Sequence, residues 1–306
     1  MEESLVSWGI FGTIIISLLI LDLGVFNKKD HVISLRESLL MSMFYIAIAC
    51  GFGAYVFYEI GAQSGKEYFT GFILEKAMSL DNIFVISMIF TFFKIPAKYQ
   101  HRVLFWGILG VIVLRAIMIG LGASLIANFE WVLFIFAAIL IYTGVKTFYI
   151  SQEEPMDVKN MSIYKFLSKK INLYPKLVGN KFFITENSKL YATPLFMALA
   201  MVEAMDVIFA IDSIPAIFAI TQDTYIVYTS NIFAILGLRA LFFLLADIVR
   251  RFRYIKYSLA LILIFIGIKI FVAHFVHIPT YIPLVVTIGL LLIGGFASVL
   301  IKEKEM

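Results

Sequence analysis

The chain has 306 residues, of which 61% are hydrophobic, 16% aromatic and only 15% charged, and its mean hydropathy is +0.95. A soluble domain carries about 45–50% apolar and about 25% charged residues, so a soluble globular enzyme, a nucleic-acid binder and a disordered chain are excluded. The net charge is a modest +4, and the single cysteine, Cys50, sits inside an apolar run, which supports neither a disulfide framework nor a cysteine metal site.

Apolar runs of about 20 residues recur along the whole length, the pattern of an all-α polytopic membrane protein. Nine transmembrane helices are predicted, over 5–26, 39–58, 72–93, 103–126, 131–150, 192–220, 226–249, 257–273 and 281–301. The first has Glu2 and Glu3 where a signal peptide has a basic region, and no small-residue cleavage site before Asp22, so it is expected to stay as a span. With the amino terminus outside, the segments 27–38, 94–102, 151–191, 250–256 and the tail from Lys302 lie inside. They hold 19 of the 25 Lys and Arg residues, whereas the outer segments hold only Lys66. The positive-inside rule therefore predicts nine crossings, amino terminus out and carboxyl terminus in.

The long loop 151–191 holds Glu153, Glu154, Pro155 and Asp157, then Lys159, Lys165, Lys169, Lys170, Lys176 and Lys181. It is expected to be a solvated cytoplasmic linker whose lysines touch anionic headgroups, a regulatory partner site being the sharper alternative.

Two stretches resemble each other. Asp81-Asn82-Ile83-Phe84, Leu114-Arg115-Ala116 and Gly144-Val145-Lys146-Thr147-Phe148 recur as Asp206-Val207-Ile208-Phe209, Leu238-Arg239-Ala240 and Gly267-Ile268-Lys269-Ile270-Phe271, at offsets of 125, 124 and 123. Each copy spans three predicted helices, an odd number, so the second enters the membrane from the opposite side. Inverted-topology three-helix repeats are the architecture that lets one site face either side in turn, near the midplane where the paired first helices meet. The expected organisation is two N-terminal helices (1–71), a first repeat (72–150), the cytoplasmic loop (151–191), a second repeat (192–273), and a last helix with its tail (274–306).

Those paired first helices, spans 3 and 6, carry the acids. Span 3 has Glu75, Asp81 and Asn82, with Lys76 beside them; span 6 has Glu203, Asp206 and Asp212. A carboxylate near the bilayer centre costs at least about 2.5–3.5 kcal/mol on insertion scales, so such acids must face the interior and meet cations. Glu203 and Asp206 are spaced i,i+3, and Glu75 and Asn82 i,i+7, each pair close to one helix face. Asp81 and Asp212 lie off those stripes. Pro215 cannot donate to the carbonyl of Ile211, so span 6 is expected to kink or break beside Asp212 and free a carbonyl for a cation.

Carboxylates, an amide and carbonyls are hard donors suited to Mn²⁺, Mg²⁺ or Ca²⁺, and no His/Cys cluster in the spans points to zinc or copper. Met78, Met201 and Met205 lie near the acids; a thioether ligand would favour Mn²⁺ over Ca²⁺, though methionine in an apolar helix is more commonly packing. The competing reading is structural. Five acids (Glu75, Asp81, Glu203, Asp206, Asp212) face five bases within spans (Lys76, Arg115, Lys146, Arg239, Lys269) and could pair completely. Against it, the acids sit on two helices and four of the bases on four others, and Lys146 and Lys269 lie near span ends where they can snorkel. Arg115 and Arg239 are deeper and suited to lock gates or hold the acids apart when no ion is bound. The transport reading requires the acids to converge on one dehydrated cavity short of positive partners.

Weaker candidates are Asp22 and Asp247 at span ends, where water contact is cheap, Asn231 as a helix-start residue, and His274 and His277 as an interfacial H-x-x-H pair. Gly51, Gly53, Gly107, Gly110, Gly120 and Gly122 allow close helix approach.

At the acidic motifs the sequence resembles a known family. Glu75-Lys76-Ala77-Met78-Ser79-Leu80-Asp81-Asn82-Ile83-Phe84-Val85 is similar to the first signature of the TerC family of integral membrane proteins. Asp206-Val207-Ile208-Phe209-Ala210-Ile211-Asp212-Ser213-Ile214-Pro215-Ala216-Ile217 is similar to the second. Thr229-Ser230-Asn231-Ile232-Phe233-Ala234-Ile235-Leu236-Gly237-Leu238-Arg239-Ala240-Leu241 follows it as in the family, and the likeness is to its Alx-like branch. The family was named for tellurite resistance; its bacterial members are associated with Mn²⁺ efflux and resemble the LysE exporter superfamily. The resemblance implies a multi-pass protein of the bacterial inner membrane, with Glu75, Asp81, Asn82, Glu203, Asp206 and Asp212 as metal ligands.

The expectation is a divalent-cation exporter with Mn²⁺ as cargo, no prosthetic group and no enzymatic activity. Its expected partners are the metal ion and membrane lipid, not nucleic acid, and its oligomeric state is open. Export against an inside-negative potential costs roughly 4.6 kcal/mol per 100 mV for two charges, and with no nucleotide-binding motif present, proton antiport is the economical coupling. The alternative is a membrane scaffold or tellurite-resistance factor whose acids are structural. Export of the tellurite anion fits poorly with an acidic midplane, and an intramembrane hydrolase lacks a nucleophile motif.

Overall fold

The computed structural model describes residues 5–22, 33–149, 158–245, 254–273, 278–279 and 281–300. In chain order the helices are α1 (Leu5–Leu21), α2 (Leu35–Tyr55, extended by a π turn Val56–Ile60), α3 (Ala62–Phe92), α4 (Ala97–Asn128) and α5 (Val132–Tyr149). A short turn at Val158–Asn160, α6 (Ser162–Lys170) and an antiparallel hairpin of β1 (Phe183–Glu186) and β2 (Lys189–Ala192) follow. The chain then forms α7 (Pro194–Phe218), α8 (Thr224–Leu236), α9 (Leu238–Leu245), α10 (Ile255–Val272) and α11 (Tyr281–Leu300). Seven helical segments are long and apolar enough to cross a membrane. Of the other two that fall on predicted spans, α1 is a shorter apolar helix of 17 residues and α3 carries Glu75, Lys76 and Asp81. The chain is thus an all-α polytopic membrane protein.

Local chemistry sets the helix starts. Ser34 and Glu37 form a capping box at α2. Pro96 precedes α4 and Pro194 occupies the first turn of α7, where a missing N–H is harmless. The Asp223 carboxylate accepts from the N–H groups of Tyr225 and Ile226 at 2.9 and 3.3 Å to open α8.

Three expectations are corrected. The sixth span does not break at Pro215: α7 runs through it to Phe218. Pro215 lies in the last turn, so only the Ile211 carbonyl loses a helical donor, and the Pro215 and Ile217 carbonyls accept from Ala219 and Thr221. The break falls instead in the seventh span, at Gly237 between α8 and α9. The 151–191 segment is no solvated linker over its described part. Val158 is buried, and Ile163, Tyr164, Leu167, Leu177 and Phe182 pack onto the apolar core of α3, α4 and α7. Asn187 and Ser188, both at positive φ, make the hairpin turn.

Close contacts fix how the helices run. In α4, Gly107 faces Leu199, Gly110 faces Glu203 and Gly122 faces Phe218, so α4 and α7 are parallel. In α3, Gly71 meets Ser230 and the Lys76 ammonium reaches the Ala234 carbonyl, so α3 and α8 are parallel too. In α5, Gly144 faces Ala260 and Ile264, while Gly267 of α10 faces Ala137 and Ile141, an antiparallel and reciprocal pair. An aromatic cluster of Trp8, Phe11, Phe52, Tyr68, Tyr225 and Phe233 seats α1 against α2, α3 and α8. The polar centre therefore lies between α3, α4, α7 and α8.

Candidate functional site

Arg115 is fully buried near the middle of α4. Its Nε and Nη2 donate to the two carboxylate oxygens of Asp206 in α7, each at 3.0 Å. Its Nη1 donates to Glu75 Oε1 in α3 at 3.0 Å, to Ser213 Oγ in α7 at 2.8 Å and to Asn231 Oδ1 in α8 at 3.3 Å. Asp206 and Ser213 share a face of α7 because they are seven residues apart. A planar guanidinium suits this bidentate grip on a carboxylate. Two carboxylates against one arginine leave the cluster formally negative. Two polar atoms beside it, Glu75 Oε2 and Asn231 Nδ2, are buried and have no hydrogen-bond partner among the described residues.

One turn before Asp206, the Glu203 carboxylate enters a notch in α4 made by Gly107 and Gly110. A Cβ at Gly110 would stand 2.4 Å from Glu203 Oε1. Both Glu203 oxygens are buried and have no hydrogen-bond partner among the described residues. A cavity of about 480 Å³, open mouth included, runs beside the cluster; Asn82, Gly107, Asp206 and Arg239 are among the residues that line it.

The other expected ligands lie elsewhere. Asp81 is on a different face of α3, where the neighbouring charge is Lys256 of α10. Asp212 accepts a 2.9 Å hydrogen bond from Thr143 Oγ1 of α5, with Lys146 the cation nearby. Of the six predicted ligands, Glu75 and Asp206 meet on Arg115, Asn82 and Asp206 border the cavity, Glu203 adjoins it, and Asp81 and Asp212 face away. Among the described residues no three acidic, His or Cys side chains stand close enough to hold a metal ion. The expected convergence on a cavity short of positive partners is therefore not met in this conformation. Helical rotation is the reason: Asp81 follows Glu75 by six residues, at about 100° each, so the two point to different sides of α3.

The cations also depart from expectation. Asp22, read as water-exposed, is buried and ion-paired with Arg239. Lys76 donates to the Ala234 carbonyl at 3.0 Å where α8 ends, and Lys269 to the Ala219 carbonyl at 3.1 Å where α7 ends. These lysines serve helix C-termini, which favour positive charge. Asn231 sits well inside α8 rather than at its start, and Ser213, a partner of Arg115 that the charge pattern misses, is signalled only by its i,i+7 spacing from Asp206. Met201 and Met205 are apolar packing, as is Met78. Asp247, His274 and His277 lie outside the described residues.

A bundle of apolar helices with an arginine held at mid-helix by carboxylates from two neighbours defines a polytopic membrane protein with a buried polar core. The chain belongs to the integral membrane protein TerC family, whose profile matches residues 60–306. It is 65% identical over 297 residues to an "Uncharacterized membrane protein" of Rickettsia bellii (strain RML369-C), covering 97% of this chain and 98% of that one. It is 46% identical to "Uncharacterized membrane protein STKORF319" of Myxococcus xanthus, covering 97% and 93% of the two chains. It is 41% identical to "Putative membrane-bound redox modulator Alx" of Escherichia coli (strain K12), covering 93% and 91%. No solved structure matches the chain.

Proposed function

We propose that the chain is a divalent-cation transporter of the bacterial inner membrane, exporting Mn²⁺ by alternating exposure of the interface between α3 and α7. Not all of the acids converge as the sequence reading required, and what carries this reading in place of that convergence is the smaller oxygen cage around Arg115, which two carboxylates against one guanidinium leave formally negative. Five oxygens from Glu75, Asp206, Ser213 and Asn231 surround one buried positive charge. Such carboxylate, hydroxyl and amide donors also suit a hard divalent cation. In this conformation the arginine holds the cation's seat.

The helix directions support inverted repeats. With α3, α4 and α5 matched to α7, α8–α9 and α10, the parallel contact of α4 with α7 is mirrored by that of α3 with α8. The Gly144–Ala260 contact is mirrored by Gly267–Ala137 at the same 123-residue offset. Nine crossings with the amino terminus outside accord with the charge distribution, and proton antiport supplies the driving force.

A second reading, a membrane scaffold with structural acids, draws on the same ion pairs, since Arg115 bonds both carboxylates and ties α4 to α3 and α7. Uptake of Mn²⁺ into inverted vesicles, compared with Mg²⁺, Ca²⁺ and Zn²⁺ and run with and without a pH gradient, separates the two. The transporter gives gradient-dependent Mn²⁺ uptake that Asp206→Asn abolishes at normal membrane levels. A scaffold gives none, and its loss leaves cellular Mn unaltered.

A further inference from the structure

Glu203 is the anomaly of the polar core. A buried carboxyl group is normally hydrogen-bonded, and one left without partners carries a desolvation penalty. Both oxygens of Glu203 are nonetheless unpartnered among the described residues. The notch that receives them belongs to the helix of Arg115 and is lined by two glycines, Gly107 and Gly110. No side chain of that face stands between the Glu203 carboxylate and α4.

We propose that Arg115 has two seats: the observed one on Asp206 and Glu75, and a second on Glu203 that it takes when a divalent cation enters the oxygen cage. Glu203 is then a positioning residue for the arginine, not a ligand of the ion. This rests on the cation-transport reading above.

Three features support the exchange. Glu203 and Asp206 are three residues apart on α7, about 4.5 Å along the axis, which a change of arginine rotamer can cover. Helical side chains lean toward the N-terminus, so Arg115 leans over the turn of α4 at Val111 and Ile112, one residue short of Gly110 along the axis. Because α4 and α7 are parallel, that lean runs along the axis in the direction of Glu203, and a rotamer change must carry the guanidinium round the helix to reach it. The charges also close. With the guanidinium on Glu203, a divalent ion on Glu75 and Asp206 leaves both groups neutral, whereas a monovalent ion would leave the cage negative. A buried charge is stable only when matched, so the exchange selects for two positive charges.

The test is a Mn²⁺ titration of the purified full-length chain in lipid nanodiscs, followed by electron paramagnetic resonance, for wild type, Glu203→Gln, Arg115→Gln and the double variant. Glu203→Gln removes the second seat and is expected to weaken Mn²⁺ binding by about tenfold or more, through loss of the binding-competent population. In the Arg115→Gln background the same change is expected to have no effect. Equal weakening in both backgrounds would make Glu203 a ligand and overturn the proposal, as would no weakening in either. No Mn²⁺ binding by wild type or Arg115→Gln would instead sink the cation reading itself, and this inference with it. Should Arg115→Gln fail to fold, infrared difference spectra with isotope-labelled arginine decide. Mn²⁺ is expected to shift a guanidinium band in wild type and not in Glu203→Gln, and the absence of an arginine band in wild type overturns the two-seat exchange.

Discussion

Arg239, near the start of α9, is ion-paired with Asp22 at the end of α1, whereas Arg115, its counterpart 124 residues earlier, grips Asp206. The first helix, which lies outside both proposed repeats, thus supplies the carboxylate for the arginine of α9. Asp22→Asn leaves a buried guanidinium without that carboxylate, an expected loss of about 3–5 kcal/mol. Asp22→Asn combined with Arg239→Gln is expected to lose less than the sum of the single changes. Thermal unfolding of the purified variants in detergent measures both.

The acids divide into two functional groups by position. Asp206→Asn and Glu75→Gln, which strip the cage around Arg115, are expected to abolish Mn²⁺ uptake into inverted vesicles. Asp81→Asn and Asp212→Asn, on other faces of their helices, are expected to retain most of it. Uptake normalised to protein level in the membrane checks this, and loss of transport in Asp81→Asn at normal levels would contradict the assignment.

The contact between α5 and α10 leaves no room for side chains at its two glycines. A Cβ at Gly144 would lie 2.7 Å from the Ala260 carbonyl oxygen, and one at Gly267 2.8 Å from that of Ala137. Because backbone cannot give way cheaply, Gly144→Ala and Gly267→Ala are each expected to destabilise the protein by about 1–3 kcal/mol. Gly120→Ala, with nothing within 4 Å of its Cβ, is expected to be nearly neutral. Denaturant or thermal unfolding distinguishes them.

Lys76 is the cap of an interrupted helix. Lys76→Met removes the charged donor from the Ala234 carbonyl and is expected to cost about 1.5–3 kcal/mol. Gly237→Ala brings a methyl to 2.6 Å from the Lys76 ammonium, but a flexible lysine can retreat, so a smaller loss is expected. The order of the two melting temperatures tests the argument.

The membrane-crossing helices were legible in the sequence because they are long apolar runs, and the polar core was legible because acids are rare in such runs; the short, lysine-rich α6 was not. The partners were not. Which arginine meets Asp206 depends on α4 lying parallel to α7, and periodicity within one helix carries no information about its neighbours. Pro215 looked like the breaker of a span, yet near a helix end it removes little. Gly237, an ordinary glycine inside an apolar pattern, marks the interruption because Lys76 from another helix reaches it. The strands at Phe183–Glu186 and Lys189–Ala192 were hidden by the lysines around them, although Asn187-Ser188 between alternating residues is a turn signal.

The small folded unit between α5 and α7 touches helices assigned to both halves. Tyr164 meets Phe92 edge-on and Phe93 at a tilt at the end of α3, Phe182 lies beneath the Arg102 guanidinium of α4, and Phe183 packs on Phe196 of α7. In the proposed transport cycle one half tilts against the other, and these rings must then either travel along or let go, so the unit would serve as a clasp. A nanobody that gripped the tip at Asn187 and Ser188 is then expected to act as a brake on that motion while leaving every buried charge untouched.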